Sequence, residues 1–211
     1  MMAFDMKKAI RQSQRISEAP LEFSDEHESL KIFGFWVFLA TDIIVFSCLF
    51  ASYAVYQSNT AGGPTPLQLF AYRPFVIETF LLLTSSFTCG LATNEMRRKN
   101  VKGLIAWLLL TMLLGIVFVS MEAHEFAAYL AMGDNWHRSS FLSAFFTLVG
   151  THGAHVSLGV VWVLTIVIQL WRRGITKITA RKVFVFALYW HFLDIIWVFI
   201  FTVVYLSGKV M

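Results

Sequence analysis

Three histidines and an aspartate stand inside long apolar runs: residues 150–155 read Gly-Thr-His-Gly-Ala-His, and residues 189–194 read Tyr-Trp-His-Phe-Leu-Asp. Ionisable side chains are costly in hydrocarbon, and where they occur they usually face a bundle interior, a partner or a pathway. His152 and His155 are three residues apart and share one face of a helix. Neutral imidazole is the commonest metal ligand, so one reading is a metal or haem site. The other is a pair that hydrogen-bonds a neighbouring helix, with Gly150 and Gly153 letting backbones approach. The packing reading is preferred, because a metal would need further ligands and no other His or Cys cluster supplies them. His191 and Asp194 are likewise one turn apart. They fit a proton relay or a satisfied contact that fixes helix register, and the sequence leaves both open.

Three more carboxylates lie within apolar stretches. Asp42, in Thr41-Asp42-Ile43-Ile44, has no basic residue in its own span; it reads as a proton-handling or headgroup-contacting group, or else as a carboxyl bonded to another helix. Glu78 stands near an outer membrane boundary, within reach of tilt or a water defect. Glu122, with His124 and Glu125, closes an apolar run, and the stretch to His137 is expected to lie partly along the interface as an exposed turn, with divalent-metal binding as the lesser alternative. At about 1.5 Å per helical residue, Asp42, His191 and Asp194 fall roughly 12 to 16 Å from the cytoplasmic boundary. On the same scale Glu78, Glu122 and His152 fall roughly 25 to 28 Å from it, and His155 about 21 Å. Groups at one depth can pair across helices.

The elements that must position these groups are membrane helices. The chain is 57% apolar, 16% aromatic and 14% charged, with a mean hydropathy of +0.66, far from the balance of a soluble domain. Five apolar spans, 32–56, 74–93, 103–121, 141–169 and 183–206, are each long enough to cross as a helix. None shows the alternation of a barrel strand. The expected fold is an all-α, polytopic bundle over 32–211, preceded by a polar tail over 1–31. All but Arg73, Arg138 and Lys209 of the 17 Lys and Arg lie on one side of this arrangement. That predicts a cytoplasmic amino terminus and an outer carboxyl terminus. It also assigns the net charge of +4 to topology and anionic lipid, not to nucleic acid.

No signal peptide, Walker loop, dinucleotide fingerprint, Cys-x-x-Cys or His-Glu-x-x-His motif is present. Cys48 and Cys89 sit at depths too different for a bridge and read as small packing residues. The Trp residues at 36, 107, 136, 171 and 190 are expected near headgroups or between helices. Five spans do not divide into the equal halves of a transporter.

The runs Gly34-Phe35-Trp36-Val37-Phe38-Leu39, Asn94-Glu95-Met96, Phe141-Leu142-Ser143-Ala144-Phe145-Phe146, Gly150 to Val156 and Tyr189 to Asp194 resemble subunit III of the haem-copper terminal oxidases, over nearly all of 32–208. The five-helix form and Asn59-Thr60-Ala61-Gly62-Gly63 look most like the bacterial quinol oxidases of the bo or aa type. The resemblance implies a non-catalytic subunit in the bacterial cell membrane, part of a complex that oxidises quinol, reduces oxygen to water and pumps protons. It implies no cofactor in this chain, haems and copper in subunit I, subunits II and IV as further partners, and bound phospholipid. It matches Asp42 to an intramembrane carboxylate that members oxidising cytochrome c fill with glutamate. It places a lipid cleft between the first two helices and the rest, with Asp42 and Glu78 near it and His152, His155, His191 and Asp194 at or near the packed bundle. A cytochrome c oxidase subunit III is the alternative within the family. An autonomous haem or metal protein, or a small permease, using His152, His155 and His191, is the alternative outside it.

Overall fold

The computed structural model describes residues 26–61, 72–134 and 136–206. The predicted tail lies outside the described residues as far as residue 25, as do Gly62, Gly63 and Lys209. The described residues form five helices and no strand: α1 (Glu26–Tyr56), α2 (Tyr72–Arg97), α3 (Val101–Ala131), α4 (Ser140–Arg173) and α5 (Lys177–Ile200), the last continued by a π-helical stretch, Phe201–Leu206. All five are long and apolar enough to cross a membrane.

Every helix outruns its predicted span, because hydropathy marks only the lipid-immersed part while the backbone stays helical until something caps it. The largest difference is in α3. Residues 122–131, expected to lie along the interface as an exposed turn, continue the helix, and Glu122 is buried. The turn comes only at Gly133, where φ is +83°.

The connections explain the neighbour order. Between α2 and α3 only Arg98, Lys99 and Asn100 intervene; Lys99 takes a left-handed φ of 59°, and Asn100 caps α3 by accepting from Gly103 N at 3.3 Å while its amide donates to Glu95 Oε2 at 2.6 Å. A side chain at Gly103 would collide with both partners. Ser139 caps α4, tied into a turn where Arg138 pairs with Asp134. At the next corner Gly174 ends α4 with φ +65°, and Thr176 and Thr179 form a capping box that starts α5. Short, capped links make α2, α3, α4 and α5 consecutive antiparallel neighbours, and contacts between α2 and α5 close them into a four-helix bundle. α1 is an addition to that bundle, packed on α4 and α5 through a stripe of Ile32, Leu39, Phe46 and Tyr53.

Two indoles of α5 fill the bundle axis. Trp190 donates from Nε1 to Ser85 Oγ of α2 at 3.0 Å, and its ring occupies the room left by Gly115 of α3 and Gly159 of α4, where an added Cβ would lie 2.8 Å from it. Two turns further on, Trp197 donates to Thr79 Oγ1 of α2 at 3.1 Å and meets Phe118 of α3 edge-on, with centroids 4.8 Å apart. Thr88 and Thr111 share a hydrogen bond of 2.8 Å between α2 and α3. Lipid tails are as apolar as these side chains, so close fit and interhelical hydrogen bonds of about 0.6 kcal/mol each must carry association.

Gly159→Leu, which drives a side chain into the Trp190 ring, is expected to destabilise the bundle by about 1–3 kcal/mol, the usual cost of overpacking. Thermal unfolding of the purified protein in mild detergent measures it. Gly34→Leu, with nothing within 4 Å of an added Cβ, is the matched control and should leave the transition unmoved.

Candidate functional site

By helix face, the candidate residues fall into three places. The first lies where α1 meets α4 and α5. Asp42 is buried, lies within electrostatic range of Tyr189 and leaves Oδ2 without a partner. Tyr189 donates to the His155 carbonyl at 3.0 Å, and the His155 ring packs on Phe46 at 5.3 Å. His155 Nδ1 donates to the Thr151 carbonyl at 2.7 Å, inside its own helix.

The second place is the outer half of the bundle. Glu78 of α2, Glu122 of α3 and His152 of α4 are 1%, 5% and 0% exposed, and all six of their side-chain polar atoms lack a hydrogen-bond partner. Glu78 is within electrostatic range of Glu122 and Glu125. His152 is enclosed by aromatic rings: Trp197 at 5.2 Å, Phe118 at 5.9 Å and Phe46 at 6.4 Å. The expected pair of histidines bonded to a neighbouring helix is therefore corrected. One bonds its own backbone and the other sits among rings. The glycines also act differently: Gly153 gives room to the Glu122 carboxylate, and Gly150 meets only the Phe126 ring, so side chains and not backbones use the space.

The third place faces outward between α2 and α5. Ser86 Oγ and His191 Nδ1 share a hydrogen bond of 2.6 Å, and Asp194 lines the same groove. Asp194 Oδ1 is buried and unpartnered. Ser86, the partner of His191, was missed in the sequence; its signal was the polar run Thr84-Ser85-Ser86 in the middle of a membrane span. Among the described residues, no three of His, Cys, Asp and Glu converge in a group able to hold a metal ion. Cys48 and Cys89 are free; Cys89 packs in the core, but Cys48 faces outward, contrary to its packing assignment.

A cavity of about 720 Å³ lies between α1 and α5 and is lined by apolar residues such as Trp36, Ile43, Phe50, Phe192 and Phe199. The expected cleft between α1 with α2 and the other helices is not formed, because the three-residue turn fastens α2 to α3 while α1 packs on the far side of the bundle. Neither Asp42 nor Glu78 lines the cavity, whereas His191 does.

The family model for cytochrome c oxidase subunit III matches residues 23–209. The chain belongs to that family. Quinol oxidase subunit 3 of Bacillus spizizenii is 51% identical over 192 residues, 91% of this chain and 94% of the relative. The Bacillus subtilis protein of the same name is 50% identical over the same shares. A probable quinol oxidase subunit 3 from Staphylococcus saprophyticus is 47% identical over 186 residues, 87% of this chain and 92% of the relative. This bears out the resemblance carried by the His152-to-His155 and His191-to-Asp194 runs. As a subunit III with five spanning helices, the chain is a multi-pass protein of the bacterial plasma membrane and part of an oxidoreductase complex with other subunits.

In this subunit III, Gly153→Ala pushes a methyl group into the Glu122 carboxyl. The variant should be less stable than the parent, and Glu122→Ala should relieve the defect. A double-mutant cycle on thermal unfolding is expected to give a coupling of about 0.5–3 kcal/mol. Additive effects would show that the two residues do not press on each other.

Proposed function

We propose that this chain is the non-catalytic subunit III of a proton-pumping quinol oxidase of aerobic respiration, which oxidises quinol and reduces oxygen to water. The observation that carries the reading is identity of about half over more than nine-tenths of Bacillus quinol oxidase subunit 3. Haems and copper belong to subunit I, and subunits II and IV complete the complex. This chain braces subunit I, holds phospholipid and aids oxygen or proton access. The cavity between α1 and α5, apolar and open to the bilayer, supports the lipid role. The distribution of Lys and Arg supports a cytoplasmic amino terminus.

Of the buried polar groups, Asp42 is the proton-handling candidate: it lies on the face that joins α1 to the bundle and keeps one oxygen free for a donor. Glu78, Glu122 and His152 form an internal polar cluster, His155 holds the α4 face against Phe46, and His191 and Asp194 serve the outward groove.

Purification through this subunit in mild detergent should bring down a complex with a haem spectrum that oxidises quinol in preference to reduced cytochrome c, while the chain expressed alone shows no haem. Haem in the lone chain, or turnover only with cytochrome c, would overturn the reading. Asp42→Asn should assemble normally and shorten the working lifetime of the enzyme during turnover; unchanged rate and lifetime would remove Asp42 from proton handling.

A further inference from the structure

Between the carboxyl end of α1 and the amino end of α4 lies a cavity of about 370 Å³ with a hydroxyl lining. α1 contributes Ser52 and Tyr56, one turn apart, and α4 contributes Ser140, Ser143 and Thr147 along one face. Leu49 and Ala144 make the apolar remainder. The volume falls within the range of small-molecule sites. Ser52, Tyr56, Ser140 and Thr147 are exposed, so an occupant can reach them. The walls are fixed from within: Phe141 N donates to the Asn59 carbonyl at 3.3 Å just beyond α1, and the buried Tyr53 and Phe141 rings meet with centroids 6.1 Å apart.

Hydrogen bonds already made say what the lining can take. Ser52 donates to the Cys48 carbonyl at 2.9 Å, Thr147 to the Ser143 carbonyl at 2.7 Å, and Ser143 to the Trp136 carbonyl. With their only protons committed inside the chain, these three hydroxyls present lone pairs and match a ligand rich in donors. A cation is not favoured, because no carboxylate lines the cavity. Nor is a phosphate, since no Lys or Arg lines it either. At the start of α4 the N–H groups of Phe141, Leu142 and Ser143 are taken by the Asn59 carbonyl, the Ser139 hydroxyl and the Ser139 carbonyl, which leaves them none for an anion. Depth decides the rest. Tyr56 ends α1 and Ser140 begins α4, so the cavity opens at headgroup level, with Leu49 and Thr147 toward the acyl region. An uncharged polyol attached to a hydrocarbon tail meets these conditions.

We propose that this cavity binds the sugar headgroup of a glycosyl diacylglycerol from the outer leaflet, its hydroxyls donating to Ser52, Ser143 and Thr147 and its ring lying beside Tyr56. The inference rests on the outward placement of the α1 carboxyl end proposed above. It differs from the phospholipid role of the α1–α5 cavity in helix pair and in chemistry, because a headgroup is recognised here and tails are held there.

The test uses the purified whole complex in nanodiscs of phosphatidylcholine, doped with a glucosyl diacylglycerol that carries a photoreactive diazirine beside the sugar. After illumination, digestion and mass spectrometry, label is expected on peptides carrying residues 49–56 and 140–147. Excess unlabelled glucosyl diacylglycerol should displace it, and the same excess of phosphatidylglycerol should not. Ser52→Leu and Thr147→Leu fill the cavity from exposed positions. Each should lower labelling roughly tenfold at sub-saturating probe, the effect of losing about 1.4 kcal/mol of binding. Thr165→Leu, exposed on α4 away from the cavity, should leave labelling unchanged. Label spread evenly over the exposed helix faces, label displaced equally by phosphatidylglycerol, or label that both cavity variants leave undiminished overturns the proposal. So does an unlabelled cavity in a complex that oxidises quinol normally, the result expected where a neighbouring subunit covers it; the functional reading then stands.

Discussion

The bundle depends on the seating of the Trp190 indole between Gly115 and Gly159, with its N–H on Ser85. In water a core of this size would be held by exclusion of solvent, but among lipid tails that force is missing between helices. What remains is shape and the need to satisfy polar hydrogens. Trp190 uses both: the ring fills a space that exists only because two facing residues lack a side chain, and its polar edge reaches the fourth helix. α3 and α5 stand diagonally across the bundle, and the ring spans the gap that their backbones leave. Trp197 repeats the device two turns away with Thr79 and Phe118, which fixes the rotation of α5 as well as its depth.

With α5 held in this way, the positions of the polar groups follow. His191 comes one residue after Trp190 and so turns away from the axis toward α2 and the bilayer; Tyr189, one residue before, turns toward α4 and Asp42. His152 meets the Trp197 ring because α4 presents the same face that Gly159 opens for Trp190 two turns earlier. The carboxyl of Glu122 then has the space over Gly153. One helix set by two indoles thus divides the ionisable residues among an α1 contact, an internal cluster and an outward groove.

The five helices, their all-α class and the family were legible in the sequence, since length, hydropathy and two local motifs carry them. Helix ends were less so, because Asn100, Ser139 and Thr176 stop and start helices through hydrogen bonds that no hydropathy window registers. The candidate residues were legible as types but not as partners. Depth along a helix can be counted, whereas azimuth depends on which neighbours a helix packs against, and that rests on the lengths of the connections. Asp42, His191 and Asp194 share a depth and yet face different helices for this reason. The glycine slots were the least visible. Gly115 and Gly159 lie 44 residues apart in separate spans, and only the ring between them gives their pairing a meaning.

The position of α1 follows from what it lacks. It has no short link to α2 and sends no indole into the bundle, and its most apolar stretch is only 22% buried, against 56% for α5. Its attachments include an apolar stripe at seven-residue spacing, ring contacts of Phe35 and Phe50, the Asp42 face and a backbone bond from Phe141 N to the Asn59 carbonyl at 3.3 Å beyond its end. Between α1 and α5 a cavity of about 720 Å³ is left unfilled by the chain's own side chains. Material that fills the space, whether acyl chains or a neighbouring helix, therefore adds contacts that the chain does not supply for itself. The placement of α1 is thereby coupled to its surroundings, and Asp42 with it, while the indole-keyed bundle stays fixed from within.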